Sequence, residues 1–291
     1  MTKKGYTISQ FNEMFPDDDA CLDHLMRVRY GEVFPCLKCE KEAHYYRVAK
    51  RRCYECEYCG HQVYPTAGTP FAKTRTSLRD WFYVMFLFCT TRNGVSAKEI
   101  QRQIGVTYKT AWRMGHEIRK YMGWVDGDDE LGHMGIVEAD KTFIGGRDKR
   151  GKEDKTVVLG MHERGGSVVT RIIPDRSGRS VVPHIVKNVR KGAWVATDEA
   201  WAFANLDDHG FEHETVNHAS KEYVRGPIHT NSIESFWSTL KRGIAGTHIW
   251  VSPKHLSSYL KEFEYRHNLR KQPHLMFDLL LMAFPRRVSS R

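Results

Sequence analysis

Apolar and polar positions along the chain fall into three regimes. Up to about residue 70 they alternate in short stretches, and 44–48 and 62–64 read as strands around a basic tip of Arg47, Lys50, Arg51 and Arg52. From Ser77 the period lengthens, and Leu78, Trp81, Phe82, Met85, Phe86 and Phe88 make the broad apolar face of a helix. Ser96-Ala-Lys-Glu99 has the spacing of a capping box and predicts a helix through Gln103. Ile104-Gly105-Val106-Thr107 then reads as a turn into a second capped helix over 108–122. Past an acidic break at 126–130, strand patterns dominate: 135–144, 156–162 and 167–174, a helix over 179–189, a strand over 193–197, a short strand near 212–217, and a long helix from about 230 to 242. Arg164-Gly165-Gly166 joins the second and third of these strands as an antiparallel pair.

Seven cysteines, five of them within 24 residues, change this picture. Cys36-Leu-Lys-Cys39 and Cys56-Glu-Tyr-Cys59, separated by 16 residues, have the spacing of a four-thiolate zinc ribbon. Cys53-Tyr-Glu-Cys56 overlaps the second pair. Gly60 favours Cys56 with Cys59, because the chain leaves such a knuckle through a turn that glycine takes cheaply. Four thiolates leave no open position, so the zinc is structural. Cys53 is then spare, and Cys21 and Cys89 belong to the core.

Helix, glycine turn, helix is the helix-turn-helix arrangement. In it Tyr108, Lys109 and Arg113 project from the start of the second helix, where base and phosphate contacts are made. Three strands, helix, strand, helix is the order of a ribonuclease-H-like sheet. The expected fold class is thus α+β and multidomain: a helical lead (1–35), zinc ribbon (36–70), helix-turn-helix (71–125), mixed α/β ribonuclease-H-like domain (132–272) and C-terminal tail (273–291).

Charge points to a polyanion. The formal net charge is +10, and 92–120 carries seven basic against two acidic residues. The longest apolar run, 81–89, is too short to span a bilayer, and no secretory signal is visible, so a cytoplasmic protein is expected.

Two carboxylates fall on strands. Asp140 shares a face with Glu138 in mid-strand, where propensity disfavours it, and Asp198 ends the fourth strand at its carboxyl edge, where open α/β sheets bind ligands. Glu234, with 35 residues between it and Asp198, lies on the long helix that would cross both strands. Three such carboxylates suit Mg²⁺ or Mn²⁺, and two ions can drive in-line phosphodiester displacement. Glu138, Glu199, Asp207 and Asp208 remain substitutes on spacing alone. Lys241 lies two turns after Glu234 on the same face, within reach of a phosphate, and Asn231 one turn before it is a further candidate ligand.

These strings together resemble a family, the bacterial insertion-sequence transposases of the ISXO-like group, with an N-terminal zinc ribbon and a DDE catalytic domain. The resemblance runs through both cysteine pairs, Thr66-Ala-Gly-Thr-Pro-Phe71, Val137-Glu-Ala-Asp-Lys-Thr-Phe-Ile-Gly-Gly146, Thr197-Asp198, His229-Thr-Asn-Ser-Ile-Glu-Ser-Phe-Trp237, Leu240-Lys-Arg-Gly-Ile244 and Tyr265-Arg-His-Asn268. It implies Asp140 and Asp198 as the first two catalytic carboxylates, Glu234 or Asn231 as the third, and Lys241 as the accompanying basic residue. It also implies binding of double-stranded DNA at terminal inverted repeats, metal-dependent strand cleavage and strand transfer, and a homodimer or higher oligomer on DNA. The alternative is a non-catalytic or domesticated DNA-binding regulator. Lys141 and Phe143 depart from the Asp-Glu-Thr-Tyr-like string usual there, although on a strand Lys141 points away from Asp140.

Overall fold

The structure, a computed structural model, describes residues 5–127, 129–147, 153–198, 201–216 and 229–286. Its contacts divide the chain into two units. One comprises Met1–Thr91, Val95–Tyr121 and Gln272–Arg291, the other Arg92–Gly94 and Met122–Lys271.

The first unit opens with α1 (Ile8–Met14) and α2 (Asp18–Tyr30), capped by the side chains of Thr7 and Asp17. A hairpin of β1 (Phe34–Pro35) and β2 (Glu42–Ala43) follows, then an antiparallel sheet of β3 (Tyr45–Arg47), β4 (Tyr54–Cys56) and β5 (Gln62–Val63). The basic tip is partly spent on the fold: Arg47 pairs with Asp19 at 2.7 Å and Arg52 with Asp18 at 3.1 Å. Helix α3 (Leu78–Thr90) buries the apolar face expected of it. Helix α4 (Ala97–Ile104) ends at Gly105, left-handed with φ 69°, and α5 (Tyr108–Asp126) follows. Ser96 accepts from the Glu99 amide, but the Glu99 carboxylate turns to Arg102 and Gln103 instead of closing a reciprocal box.

Within the segment expected to be a tail, residues 273–286 are part of the fold. Pro273–Ala283 forms α9, whose Phe277, Leu280 and Leu281 are buried, with the Phe277 ring 5.9 Å from Phe86 and 6.1 Å from Phe11. Phe284 completes that core between Phe71 and Tyr121. An apolar run led by proline at the first helical position carries this helix, and its burial returns the chain end to the first unit.

The second unit is a five-stranded mixed sheet of β6 (Val137–Arg147), β7 (Glu153–Glu163), β8 (Val168–Ile173), β9 (Trp194–Asp198) and β10 (Glu212–Val216), in the order β10-β9-β6-β7-β8. β6, β7 and β8 are antiparallel, whereas β9 runs parallel to both β6 and β10. Val137, Ala139, Leu159 and Met161 turn one face toward Val181 and Ile185 of α6 (Gly178–Asn188). On the other face, Ile144, Val158 and Val168 meet α7 (Asn231–Gly243) and α8 (Pro253–Asn268). Helix α5 runs to Asp126, four residues beyond expectation, and the Asn268 side-chain amide donates to the Asp126 carboxyl at 3.0 Å. Burial is the largest influence, and it raises the Asp126 pKa to about 7. Among the described residues no helix is long and apolar enough to cross a membrane.

Candidate active site and zinc centre

The four thiolates expected to bind zinc converge. Cys36 Sγ lies 3.6 Å from Cys59 Sγ and Cys39 Sγ 3.8 Å from Cys56 Sγ, with all four sulfurs within 4.8 Å of one another. Thiolates tetrahedral about zinc at about 2.3 Å stand about 3.8 Å apart, so the set fits the ion. The two knuckles are built alike: the Glu40 amide donates to the Cys36 carbonyl and the Gly60 amide to that of Cys56, with φ 61° and 68°. The turn does demand a positive φ, which Gly60 meets at no cost and Glu40 meets against its side chain. Cys53 is buried outside the cluster.

In the second unit, Ala139 pairs with Thr197 across parallel strands β6 and β9. The next residues, Asp140 and Asp198, therefore stand side by side at the carboxyl edge of the β6–β9 pair. Helix α7 is fastened over them at two points. Its first turn is capped by Glu138, fully buried, which accepts from the Ser232 amide (2.8 Å), the Ile233 amide (3.0 Å), the Ser232 hydroxyl (3.0 Å) and Arg164 Nε (2.6 Å). His229 Nδ1 lies 3.1 Å from the same carboxylate. Further along, the Trp237 indole N–H donates to Asp140 Oδ2 at 3.0 Å, while the Lys141 amide donates to Oδ1 at 2.7 Å.

Gly160 makes the second attachment possible. It faces Asp140 across β6 and β7, and a Cβ there would fall 2.6 Å from Trp237 Cη2 and 2.8 Å from Ile233 Cδ1. Only a residue without a side chain lets the indole approach the strand this closely.

Glu234 sits between the two attachments, exposed, with Oε1 accepting from the Thr230 hydroxyl at 2.9 Å. Its charge reaches Asp140, whose pKa is pushed up to about 6, first by burial and then by Asp198 and Glu234, against the two donated hydrogen bonds. The structure thus brings Asp140, Asp198 and Glu234 into one electrostatic cluster. Their mutual repulsion and hard oxygen atoms fit divalent cations, which these three residues would hold.

Two of the four substitutes are engaged elsewhere. Glu138 is used up as a helix cap, and Asp207 accepts from the His213 amide toward the amino ends of the strands. Asp208 is exposed beside Asp207 on the same turn, and Glu199 lies outside the described residues. Asn231 is the exposed first residue of α7, and Lys241 is exposed in its last turn. Lys141 occupies the opposite sheet face, its Nζ 4.0 Å from the Phe203 ring centre. Burial lowers its pKa, and the charges of Asp198 and Asp140 oppose that shift, so a cation lies beside the acidic cluster.

In the first unit Tyr108, Lys109 and Arg113 are exposed at the start of α5, with Lys98 Nζ 5.2 Å from the Tyr108 ring and the Arg113 guanidinium 5.3 Å from that of Trp81. Sequence reasoning missed the roles of Trp237, Gly160 and Glu138. Trp237 stands three residues after Glu234, and a mid-strand glycine such as Gly160 is the signal that flags a close approach.

A four-thiolate centre on a small antiparallel module in one unit, and a mixed sheet with clustered carboxylates in the other, define a zinc-ribbon protein with a mixed α/β domain. Comparison with known families makes this specific. The ISXO2-like transposase domain matches residues 133–268, and the transposase zinc-ribbon domain matches residues 16–62. The chain belongs to the ISXO2-like transposase family. It is 27% identical over 272 residues to an uncharacterized protein in transposable element ISH50 of Halobacterium salinarum, covering 85% of this chain and 89% of the relative. An uncharacterized transposase-like protein of Haemophilus influenzae is 30% identical over 101 residues, 35% of this chain and 80% of the relative.

Proposed function

We propose that the chain is a catalytic DDE transposase: it binds the terminal inverted repeats of its element, hydrolyses a strand at the element end, and directs the freed 3′-hydroxyl at target DNA. The observation that carries this is the convergence of Asp140, Asp198 and Glu234, two on adjacent parallel strands and one on the helix across them. The sheet order, with its antiparallel meander and parallel β9, supports a ribonuclease-H-like reading of the second unit. Two Mg²⁺ or Mn²⁺ ions held by the three carboxylates supply stabilisation of the attacking and leaving oxygens.

The chain's own residues do the rest. Trp237 and the Lys141 amide fix the two oxygens of Asp140, and Glu138 with Arg164 fixes the start of α7 and so the height of Glu234. Lys241, two turns on, neutralises a phosphate along the DNA. In the first unit, α4, Gly105 and α5 serve as a helix-turn-helix, and Tyr108, Lys109 and Arg113 meet the element end. Two ends must be joined in one event, which a homodimer or higher oligomer on DNA provides.

The test is cleavage of a DNA fragment carrying the sequences that flank the gene, with Mg²⁺ or Mn²⁺. Glu234→Gln should lose cleavage by several orders of magnitude, while Asn231→Ala keeps most of it. The reverse pattern moves the third ligand to Asn231.

A further inference from the structure

Beyond α7 the chain passes through a π-helical turn, Ile244–His248, and then reverses sharply. The Trp250 amide donates to the His248 carbonyl at 2.7 Å, closing a γ-turn on Ile249 with φ 65° and ψ −52°. Turns of this hand are rare and strained, and a β-branched centre is the worst choice for one. Glycine would relieve the strain. The other non-glycine residues with positive φ among those described are Glu40, at the zinc knuckle, and Lys50, neither of them β-branched. Burial does not explain the choice either: Ile249 is 84% exposed and Trp250 48%, while Val251 directly after them is buried in the core below α7. Two large apolar side chains are thus held out on a turn that the buried Val251 anchors.

The surroundings name the partner. From Ser235 to Leu260 the chain carries Lys241, Arg242, His248, Lys254 and His255 and no aspartate or glutamate. Lys241, Arg242 and Lys254 are exposed. An isologous contact with a second copy would set these cations against themselves. A polyanion with apolar faces between its charges fits instead, and nucleic acid has that chemistry.

We propose that Ile249 and Trp250 form a wedge that presses against the stacked bases of duplex DNA while the flanking lysines and arginine hold its phosphates. Ile249 follows Glu234 by 15 residues of nearly continuous helix. That is about 20 Å, or roughly six base steps, so the wedge acts on DNA flanking the cut and not on the scissile bond. The inference rests on the reading that this chain acts on DNA.

The test uses the full-length, zinc-loaded chain and a fluorescein-labelled duplex of arbitrary sequence, with anisotropy read at several salt concentrations. Ile249→Gly removes the wedge and relieves the turn. It should keep the thermal stability and weaken binding about tenfold, with the salt slope unchanged, because an apolar contact releases no counterions. Trp250→Ala should weaken binding similarly, and Arg242→Ala should instead lower the slope by about one. Wild-type affinity in a folded Ile249→Gly overturns the wedge alone. So does unchanged affinity with a smaller particle mass by light scattering, which assigns the tip to a contact between copies. Failure of the wild-type chain to bind duplex at low salt overturns both the wedge and the DNA reading.

Discussion

Replacing Asp140 by asparagine should make the cation-free protein more stable at pH 8, although it destroys the proposed catalytic site. The pKa of Asp140 is about 6 in the folded chain, against an ordinary value of 3.8. A group raised on folding favours the folded state while protonated, and that contribution is lost as pH climbs from the unfolded value through the folded one. With a folded pKa of about 6, ionised Asp140 therefore costs the fold about 3 kcal/mol at pH 8 and roughly half that at pH 5. Asparagine keeps the shape and can still accept from Trp237, but it sets an amide or a misplaced oxygen against the Lys141 N–H, at about 1–2 kcal/mol. The net expectation is a gain of about 1–2 kcal/mol at pH 8 that shrinks to about zero at pH 5. Denaturant unfolding of both proteins, with zinc retained and Mg²⁺ and Mn²⁺ removed, measures it. Adding Mg²⁺ should stabilise the wild type at pH 8 and leave Asp140→Asn unmoved. Equal destabilisation of the variant at both pH values would refute the claim that burial, with the charges of Asp198 and Glu234, holds the Asp140 pKa above its ordinary value.

Two further variants probe the scaffold. Cys59→Ser should lose the stoichiometric zinc measured by metal analysis, whereas Cys53→Ser should keep it, since Cys53 stands outside the sulfur cluster. Gly160→Ala should cost about 1–3 kcal/mol in denaturant unfolding, because its methyl displaces Trp237 and Ile233, and cleavage should fall further than stability alone explains as Asp140 loses its indole donor.

Local signals carried much of this molecule. The cysteine spacing, Gly60, the capping residues Ser77 and Ser96 and the alternation through 137–144 act over a few residues, and each is visible in one stretch of chain. Asp140 was legible as a candidate because mid-strand propensity disfavours it, and Asp198 and Glu234 by their places at the carboxyl end of a strand and on the helix that follows. What holds them was not. Glu138 reads as another acidic strand residue until α7, more than ninety residues later, presents its first-turn amides to it. Gly160 is unremarked until the Trp237 ring needs its space. α8 was missed because it turns Glu262 and Glu264 inward; Thr170 and Lys261 satisfy Glu264, so periodicity of apolar residues misses this face. α9 has a plain apolar pattern, but its position at the chain end made it look like a tail, and only packing against Phe11 and Phe86 shows where it belongs.

The central claim, that Asp198 directly ligates a cation used to cut DNA, is most directly tested by exchanging its oxygen ligand for sulfur. Asp198→Cys, assayed for cleavage of element-end DNA, should be inactive with Mg²⁺, which prefers hard oxygen ligands, and should regain cleavage with Mn²⁺, which tolerates a softer ligand. End binding should stay unchanged in both. Cleavage by Asp198→Cys in Mg²⁺ at the wild-type rate would contradict a ligand role for this carboxylate.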